Sequence, residues 1–443
     1  MPTPLTRRQF LRLGLGGTLG LLAGLRAAAA PAAPGDYRAL VCIFLAGGND
    51  AFNTLVPTDT EGYADYQRAR TTLALKPDTL EPLTGTDYGL HRAARDLADA
   101  FAAGDLAVLA NVGPLIAPVT RAEVLAGRAP LPPQLYSHND QQRLWMNGDP
   151  RGTLRTGWAG RIADYLDAAG LAPPPGVNWS FGPANLLQSG ARTQPYALTE
   201  SGAVTLEHLD DPRGAPLRAV YEQLADLAAQ DGNLLARTYA ARQRRALDNA
   251  QRVAQALAGA PALDTFPDNP FGQRLRTVAR LIAARDALGT QRQIFFVRLG
   301  GWDTHADQLK RHQRLLGVLS EGLLALRAAL QAQGVWPQVT VFTASDFGRT
   351  LSSNGDGSDH GWGGHALILG GAVRGGKIYG QLPTLALDGP DDAGHGRLIP
   401  TTSVTQYAAT LARWFGIPAA DLPTLFPTLA NFDTADLGFM AGA

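Results

Sequence analysis

The sequence predicts an α/β fold on a mainly parallel sheet, and three observations carry that expectation. Apolar runs recur at residues 39–45, 106–112, 293–299 and 339–344. Runs of this kind suit strands buried on both faces. Between the last two lies a segment, 311–333, with Leu315, Leu316, Leu319, Leu323, Leu326 and Leu330 at helical spacing. Strand–helix–strand of this sort implies a parallel pair. Finally, three of the four runs lead into an aspartate, at the strand ends where open parallel sheets bind their ligands.

Taken in order, the first run ends at Gly47-Gly48-Asn49-Asp50, and the second follows a helical segment at 93–103. The third ends in Gly300-Gly301-Trp302-Asp303-Thr304-His305, the fourth in Ser345-Asp346-Phe347-Gly348-Arg349. A further apolar run, 366–369, follows Ser358-Asp359-His360-Gly361-Trp362-Gly363-Gly364-His365. Residues 171–212 are rich in Pro, Gly and Asn and read as loops with short strands, with 178–180 and 185–188 as possible neighbours of a site. Residues 216–258 read as helix, within a helical excursion of about 213–290 beside the sheet. No internal repeat of 20–50 residues is visible, and 37–433 reads as one domain.

Composition excludes several classes. The chain has 443 residues with 39 basic and 39 acidic side chains, so neither a basic nucleic-acid binder nor an acidic tail fits. A single cysteine, Cys42, excludes a disulfide framework and cysteine-held zinc or iron–sulfur clusters. The opening carries Arg7-Arg8 followed by Phe10-Leu11, an apolar run at 13–25, and alanines at 27 and 29. This is the pattern of a twin-arginine signal peptide over residues 1–29. The run is shorter than the roughly 20 residues of a spanning helix. Removing 1–29 leaves 35 basic against 39 acidic residues. The expected location is therefore periplasmic or extracellular, with the twin-arginine translocase as export partner. Neither nucleic-acid binding nor stable membrane insertion is expected.

Asp50, Asp303, Asp346 and Asp359, with His305, His360 and His365, approach from separate segments. Carboxylate oxygens with imidazole nitrogens and no thiolate suit Zn, Mn, Mg or Fe. Each has a structural reading beside the metal one. Asp50 after two glycines can cap a helix or hold a turn, and Asp346 can pair with Arg349. Asp303 and His305 share a face if the strand continues. Ser137, before a helical pattern, is a natural N-cap; equally, a hydroxyl at a helix N-terminus can serve as a nucleophile. His138 is a ligand or a general acid. His91, His208, His312 and His395 read as surface or core residues.

These motifs, with Gly396-Arg397-Leu398-Ile399-Pro400-Thr401-Thr402 and the segment from Tyr407 to Trp414, resemble the exported domain-of-unknown-function family fifteen-oh-one. The resemblance spans 37–433. That family in turn resembles the alkaline phosphatase and sulfatase superfamily. The resemblance implies an alkaline-phosphatase-like three-layer sandwich with one or two divalent ions (Zn, Mn, Mg or Ca) and hydrolysis of phosphate or sulfate esters, small or polymeric. It implies Ser137 as nucleophile, with Asp303, His305 and His365 at one metal and Asp50, Asp346 and His360 or Asp359 at the other. Arg349 would clamp a substrate oxygen. This sequence departs from the superfamily at Phe347, where a histidine is usual, and in the single residue separating Asp303 from His305. A binding or assembly protein on the same scaffold is the alternative. Gly47-Gly48-Asn49-Asp50 lacks the spaced glycines of a dinucleotide fingerprint.

Overall fold

The computed structural model describes residues 36–182, 184–204, 215–230 and 232–442. The segment 1–29, read as a signal peptide, and His208 lie outside them. In chain order the strands are β1 (Arg38–Ala46), β2 (Leu55–Pro57), β3 (Leu80–Pro82), β4 (Tyr88–His91), β5 (Leu106–Gly113), β6 (Asn178–Phe181), β7 (Tyr196–Thr199) and β8 (Gly202–Ala203). They continue with β9 (Arg292–Gly300), β10 (Val339–Ser345), β11 (Gly364–Gly370), β12 (Ile378–Tyr379) and β13 (Thr402–Ser403). The helices of the first half are α1 (Thr60–Arg70), α2 (Asp96–Ala102), α3 (Arg121–Leu125), α4 (His138–Asn147), α5 (Trp158–Ala168) and α6 (Ala215–Ala229). Those of the second are α7 (Leu234–Ala258), α8 (Pro270–Ala283), α9 (Arg285–Leu288), α10 (Gln308–Ala332), α11 (Val404–Phe415) and α12 (Leu422–Leu425).

The large sheet runs β12-β5-β11-β10-β1-β9-β6-β7-β8, with β13 also on β5; β2, β4 and β3 form a small sheet apart. At its centre β1 pairs in parallel with β9 and β10. The unbroken apolar run of β1 has a direct cause. Ala39, Val41, Ile43 and Leu45 enter one core, with α8, α10 and α2, while Leu40, Cys42, Phe44 and Ala46 enter the other, with α5 and α11. Strand side chains alternate, so a sheet covered on both faces leaves no position for a polar residue. The result is a three-layer α/β/α arrangement. Burial pushes the Cys42 thiol up in pKa and leaves it unpaired.

The leucines of α10 at 315, 316, 319, 323, 326 and 330 are buried in the first core. Cutting one of them back to Ala costs about 2–5 kcal/mol in such a setting. This helix is also long and apolar enough to cross a membrane, but half of that stretch is buried inside the protein. It is a core helix.

The sheet is not wholly parallel. β11 runs antiparallel to both β10 and β5. After β10 the chain lays down the loop 346–363 at the strand ends and re-enters the sheet from that same edge. With no crossover between them, β11 has to run back. β8 is likewise antiparallel to β7. Asn178 and Gln188 serve the sheet rather than a site: Gln188 Nε2 donates to the carbonyls of Trp179 on β6 and Ile294 on β9, and Asn178 Nδ2 to those of Ala159 and Gln188.

Candidate metal centre

The loops that follow β1, β9 and β10 meet, with the loop before β11 and the first turn of α4, at the carboxyl edge of the parallel strands. Two glycines make the meeting possible. Gly47 has φ +124°, and a Cβ there would lie 2.3 Å from the backbone nitrogen of Asp303. Gly48 has φ +92°, and its Cβ would fall 2.5 Å from the Phe347 ring. Only glycine fits both conformation and space.

Four side chains converge there. One ligand atom each from His138, Asp303 and His360 lies within 4.8 Å of the other two. His305 Nε2 stands 3.0 Å from Asp303 Oδ1 and 3.0 Å from His360 Nε2. His360 Nε2 lies 3.5 Å from Asp303 Oδ1, and His138 Nε2 3.5 Å from Asp303 Oδ2. Although β9 ends at Gly300, alternation persists beyond it. Trp302 and Thr304 are buried, and Asp303 and His305 face outward together.

The opposite side of each imidazole is held by a group that can only accept. His138 Nδ1 is 2.7 Å from Asp346 Oδ2, His305 Nδ1 3.2 Å from Asp359 Oδ1, and His360 Nδ1 2.7 Å from the Tyr136 carbonyl. Carboxylates and carbonyls accept, so each Nδ1 carries a proton and Nε2 is the nitrogen left to face the cluster, as a lone pair when the ring is neutral. Holding a histidine by its far nitrogen is how proteins orient metal ligands.

The donor set therefore fits a metal ion on its own chemistry. His305 Nε2 and His360 Nε2 face each other at 3.0 Å beside the Asp303 carboxylate, an arrangement that a cation, or a proton shared between the rings, satisfies. In a tetrahedral zinc site with ligand distances of about 2.0–2.1 Å, donor atoms stand about 3.3–3.4 Å apart. Four of the separations here are 3.0–3.5 Å, and His138, Asp303 and His360 are the three whose ligand atoms all stand within 4.8 Å of one another, with His305 joining through Asp303 and His360. Burial lowers the His360 pKa and outweighs the hydrogen bond to the Tyr136 carbonyl, which favours the neutral, ligating ring. Burial alone would raise that of Asp303, but the hydrogen bond and charge of Arg349 outweigh it and hold the carboxyl below its usual range.

The structure redistributes the other expected residues. Asp346 and Asp359 stand behind histidines rather than among the ligand atoms. Asp346 is fully buried and also accepts from Gly47 N at 3.0 Å and Gln142 Nε2 at 2.8 Å. Asp50 is not brought to the cluster; it is buried against Arg70 and Gln308, with Arg70 also donating to the carbonyls of Thr350 and Leu351. His365 lies elsewhere, half-buried on β11, its Nδ1 accepting from Asn111 N at 3.1 Å and its ring edge on Phe52. Among the described residues no second group of His, Cys, Asp or Glu converges in this way. The second metal set of Asp50, Asp346 and His360 is thus not assembled.

Arg349 is buried and occupied. Its Nη1 donates to Asp303 Oδ1 at 2.8 Å, and it reaches the carbonyls of Gly47 and Ser358. It pairs with Asp303, not Asp346. Ser137 takes the N-cap position of α4 in an extended conformation, but its hydroxyl donates to Asp140 Oδ2 at 2.8 Å instead of capping the backbone.

Three positioning residues escaped the sequence reading. Gln142, one turn after His138 on α4, braces Asp346. Tyr136 sits at φ +73°, a conformation rare outside glycine, and turns its carbonyl to His360. Arg397 stacks 4.2 Å over the Tyr136 ring and donates to the His360 carbonyl. The i, i+4 spacing of His138 and Gln142 was the available signal; nothing in the sequence announces a carbonyl ligand partner at Tyr136.

Fold and site together define an α/β protein with a histidine–carboxylate centre at the carboxyl ends of its parallel strands. The chain belongs to the family described as "Protein of unknown function (DUF1501)", whose model matches residues 37–419. No curated protein matches it. Among solved structures it is similar to the soluble domain of lipooligosaccharide phosphoethanolamine transferase A from Neisseria meningitidis (8% identity, 87% of this chain and 89% of that one, TM-score 0.36). It is similar also to the PsFucS1 sulfatase from Pseudoalteromonas sp. (10%, 93% and 72%, TM-score 0.35) and to a mutant of the alkaline phosphatase PafA (12%, 70% and 63%, TM-score 0.26). At these scores the likeness carries no argument about activity.

Proposed function

We propose that this protein is an exported hydrolase of phosphate or sulfate esters that depends on one divalent metal ion. The observation that supports it is the orientation of three histidines, each held at Nδ1, with their Nε2 atoms directed to Asp303. The ester class rests on the sequence resemblance to the phosphatase and sulfatase superfamily, and export on the twin-arginine pattern at 1–29.

In this reading His138, Asp303, His305 and His360 hold the ion. Such an ion acts as a Lewis acid on a substrate oxygen and makes a coordinated water more acidic. The chain's own groups do the positioning. Asp346, with Gly47 N and Gln142 behind it, fixes His138; Asp359 fixes His305; the Tyr136 carbonyl fixes His360. Arg349 neutralises part of the Asp303 charge and sets its orientation. Ser137 remains the candidate nucleophile, at the start of a helix whose N-terminal dipole favours an alkoxide. Asp140, accepting from its hydroxyl, is placed to take the proton, and Arg143, 3.2 Å from Asp140, holds that carboxylate.

A second reading, a metal-binding protein without turnover, is favoured by one observation. The Phe347 ring stands 4.8 Å from His138 and 4.6 Å from His360, centroid to centroid, filling the side where the superfamily has a further histidine. The two readings part in one experiment: hydrolysis of p-nitrophenyl phosphate and p-nitrophenyl sulfate by the metal-loaded chain and by Ser137→Ala. Metal-dependent turnover lost in the variant supports the hydrolase. Full metal occupancy with no turnover of either ester supports the binding protein.

A further inference from the structure

Seven of the twelve large apolar side chains that stand exposed among the described residues lie on one helical hairpin, α6 and α7. On α6, Leu217, Val220, Leu224 and Leu227 follow at steps of three and four, so they form one stripe. On α7, Leu234, Leu235 and Tyr239 extend it around the turn, with Leu235 76% exposed. Among the described residues, Val253, Ala256 and Leu257 toward the far end of α7 enter the core. A concentration of apolar surface on a projecting tip marks an interaction site.

Charge indicates the kind of partner. α7 carries Arg237, Arg242, Arg244, Arg245 and Arg252 against the single acid Asp248, in a chain that is acidic by four charges without residues 1–29. Arg244 pairs with Asp226. Arg242 and Arg245 make no ion pair among the described residues, and they line a cleft of about 720 Å³ at the hairpin base together with Arg252. Along the helix from the tip come Leu235, then Tyr239, then Arg242, then Arg245. Arg242 stands about 10 Å along the axis from Leu235, comparable to the depth of about 5–10 Å to which interfacial helices bury their apolar face. Apolar tip, amphipathic tyrosine and arginines beyond it follow the profile of a lipid interface, from acyl chains to phosphates. A second copy on the same stripe would bring the arginines of two hairpins together, which their charge opposes.

We propose that the α6–α7 hairpin docks the protein peripherally on an anionic lipid surface, with Leu224, Leu227, Leu234 and Leu235 at the acyl boundary and Arg242 and Arg245 on headgroup phosphates. The test is co-sedimentation of the full chain with vesicles of phosphatidylcholine alone and of phosphatidylcholine mixed with phosphatidylglycerol, at low and high salt. Two double variants, Leu234→Asp with Leu235→Asp and Arg242→Gln with Arg245→Gln, are checked for unchanged circular dichroism. Wild type should bind the anionic vesicles preferentially and lose that preference in salt, and each double variant should bind about tenfold less or weaker still. Equal binding to both vesicle types, or wild-type binding by both variants, would overturn the proposal. So would a dimer that the leucine variant splits while vesicle binding stays unchanged, because the stripe would then be a self-association face.

Discussion

His138 Nδ1 lies 2.7 Å from Oδ2 of Asp346, a carboxylate with no exposed surface, although 208 positions separate the two residues in the chain. The contact turns a histidine at the first turn of α4 toward Asp303. It also explains why a strand-end aspartate is needed even though it offers the ion no oxygen. Asp346→Asn should weaken metal binding by about 10–100-fold, the usual effect of losing such a partner. Competition with a chromophoric chelator measures this, and an unchanged affinity would make Asp346 a purely structural residue.

Asp50 and Arg70 form a fully buried pair beneath the site. Removing one partner of such a pair costs about 3–5 kcal/mol because the other charge is left stranded. Arg70→Met should therefore lower the urea midpoint sharply while the folded fraction keeps its full metal complement. Loss of metal at full stability would return Asp50 to the ligand set.

Gly48 holds the β1 loop against the Phe347 ring at φ +92°. Gly48→Ala adds a steric clash and a backbone conformation that costs of order 1–3 kcal/mol. Equilibrium denaturation should show a loss at least that large, and a neutral outcome would mean that the loop can move away from Phe347.

Acid should destabilise the fold well before carboxylates protonate. Burial lowers the pKa of both His312 and His365 to about 4, from 6.5. His365 must stay neutral at Nδ1 to accept from Asn111 N. The unfolded chain takes up these protons first, so the stability is complete above about pH 6.5 and falls as the pH drops toward 4. Each group contributes about 1.4 kcal/mol per pH unit across that window. Stability measured by denaturant between pH 7 and 4 should fall along this slope, and His365→Gln should remove its share, about 1.4 kcal/mol per pH unit.

Much of this was legible in the sequence, for identifiable reasons. The buried strands β1, β5, β9 and β10 announce themselves because a sheet covered on both faces selects apolar residues at most positions. Asp303, His305 and His360 stand out because a strand end or a glycine-rich loop has no packing reason to carry them. What the sequence could not separate is the first rank of ligands from the second. Asp346 and Asp303 occupy equivalent strand ends, yet one faces the cluster and the other a histidine ring from behind. That difference depends on where α4 docks, a tertiary fact. Asp50 misled for a similar reason: its partners are Arg70, at the end of the next helix, and Gln308, 258 positions away, and only the tertiary fold brings the two together. The antiparallel β11 is invisible to periodicity, since an apolar run has no direction.

The central claim is that the Nε2 atoms of three outward-braced histidines and the carboxylate of Asp303 hold one metal ion. It is tested most directly by the metal content per chain of the purified protein, measured for wild type beside His360→Ala and Asp303→Asn. About one divalent ion per wild-type chain is expected, with most of it lost in each variant while circular dichroism stays unchanged. A fully folded wild type that takes up no divalent ion, even after incubation with zinc or manganese, would contradict it.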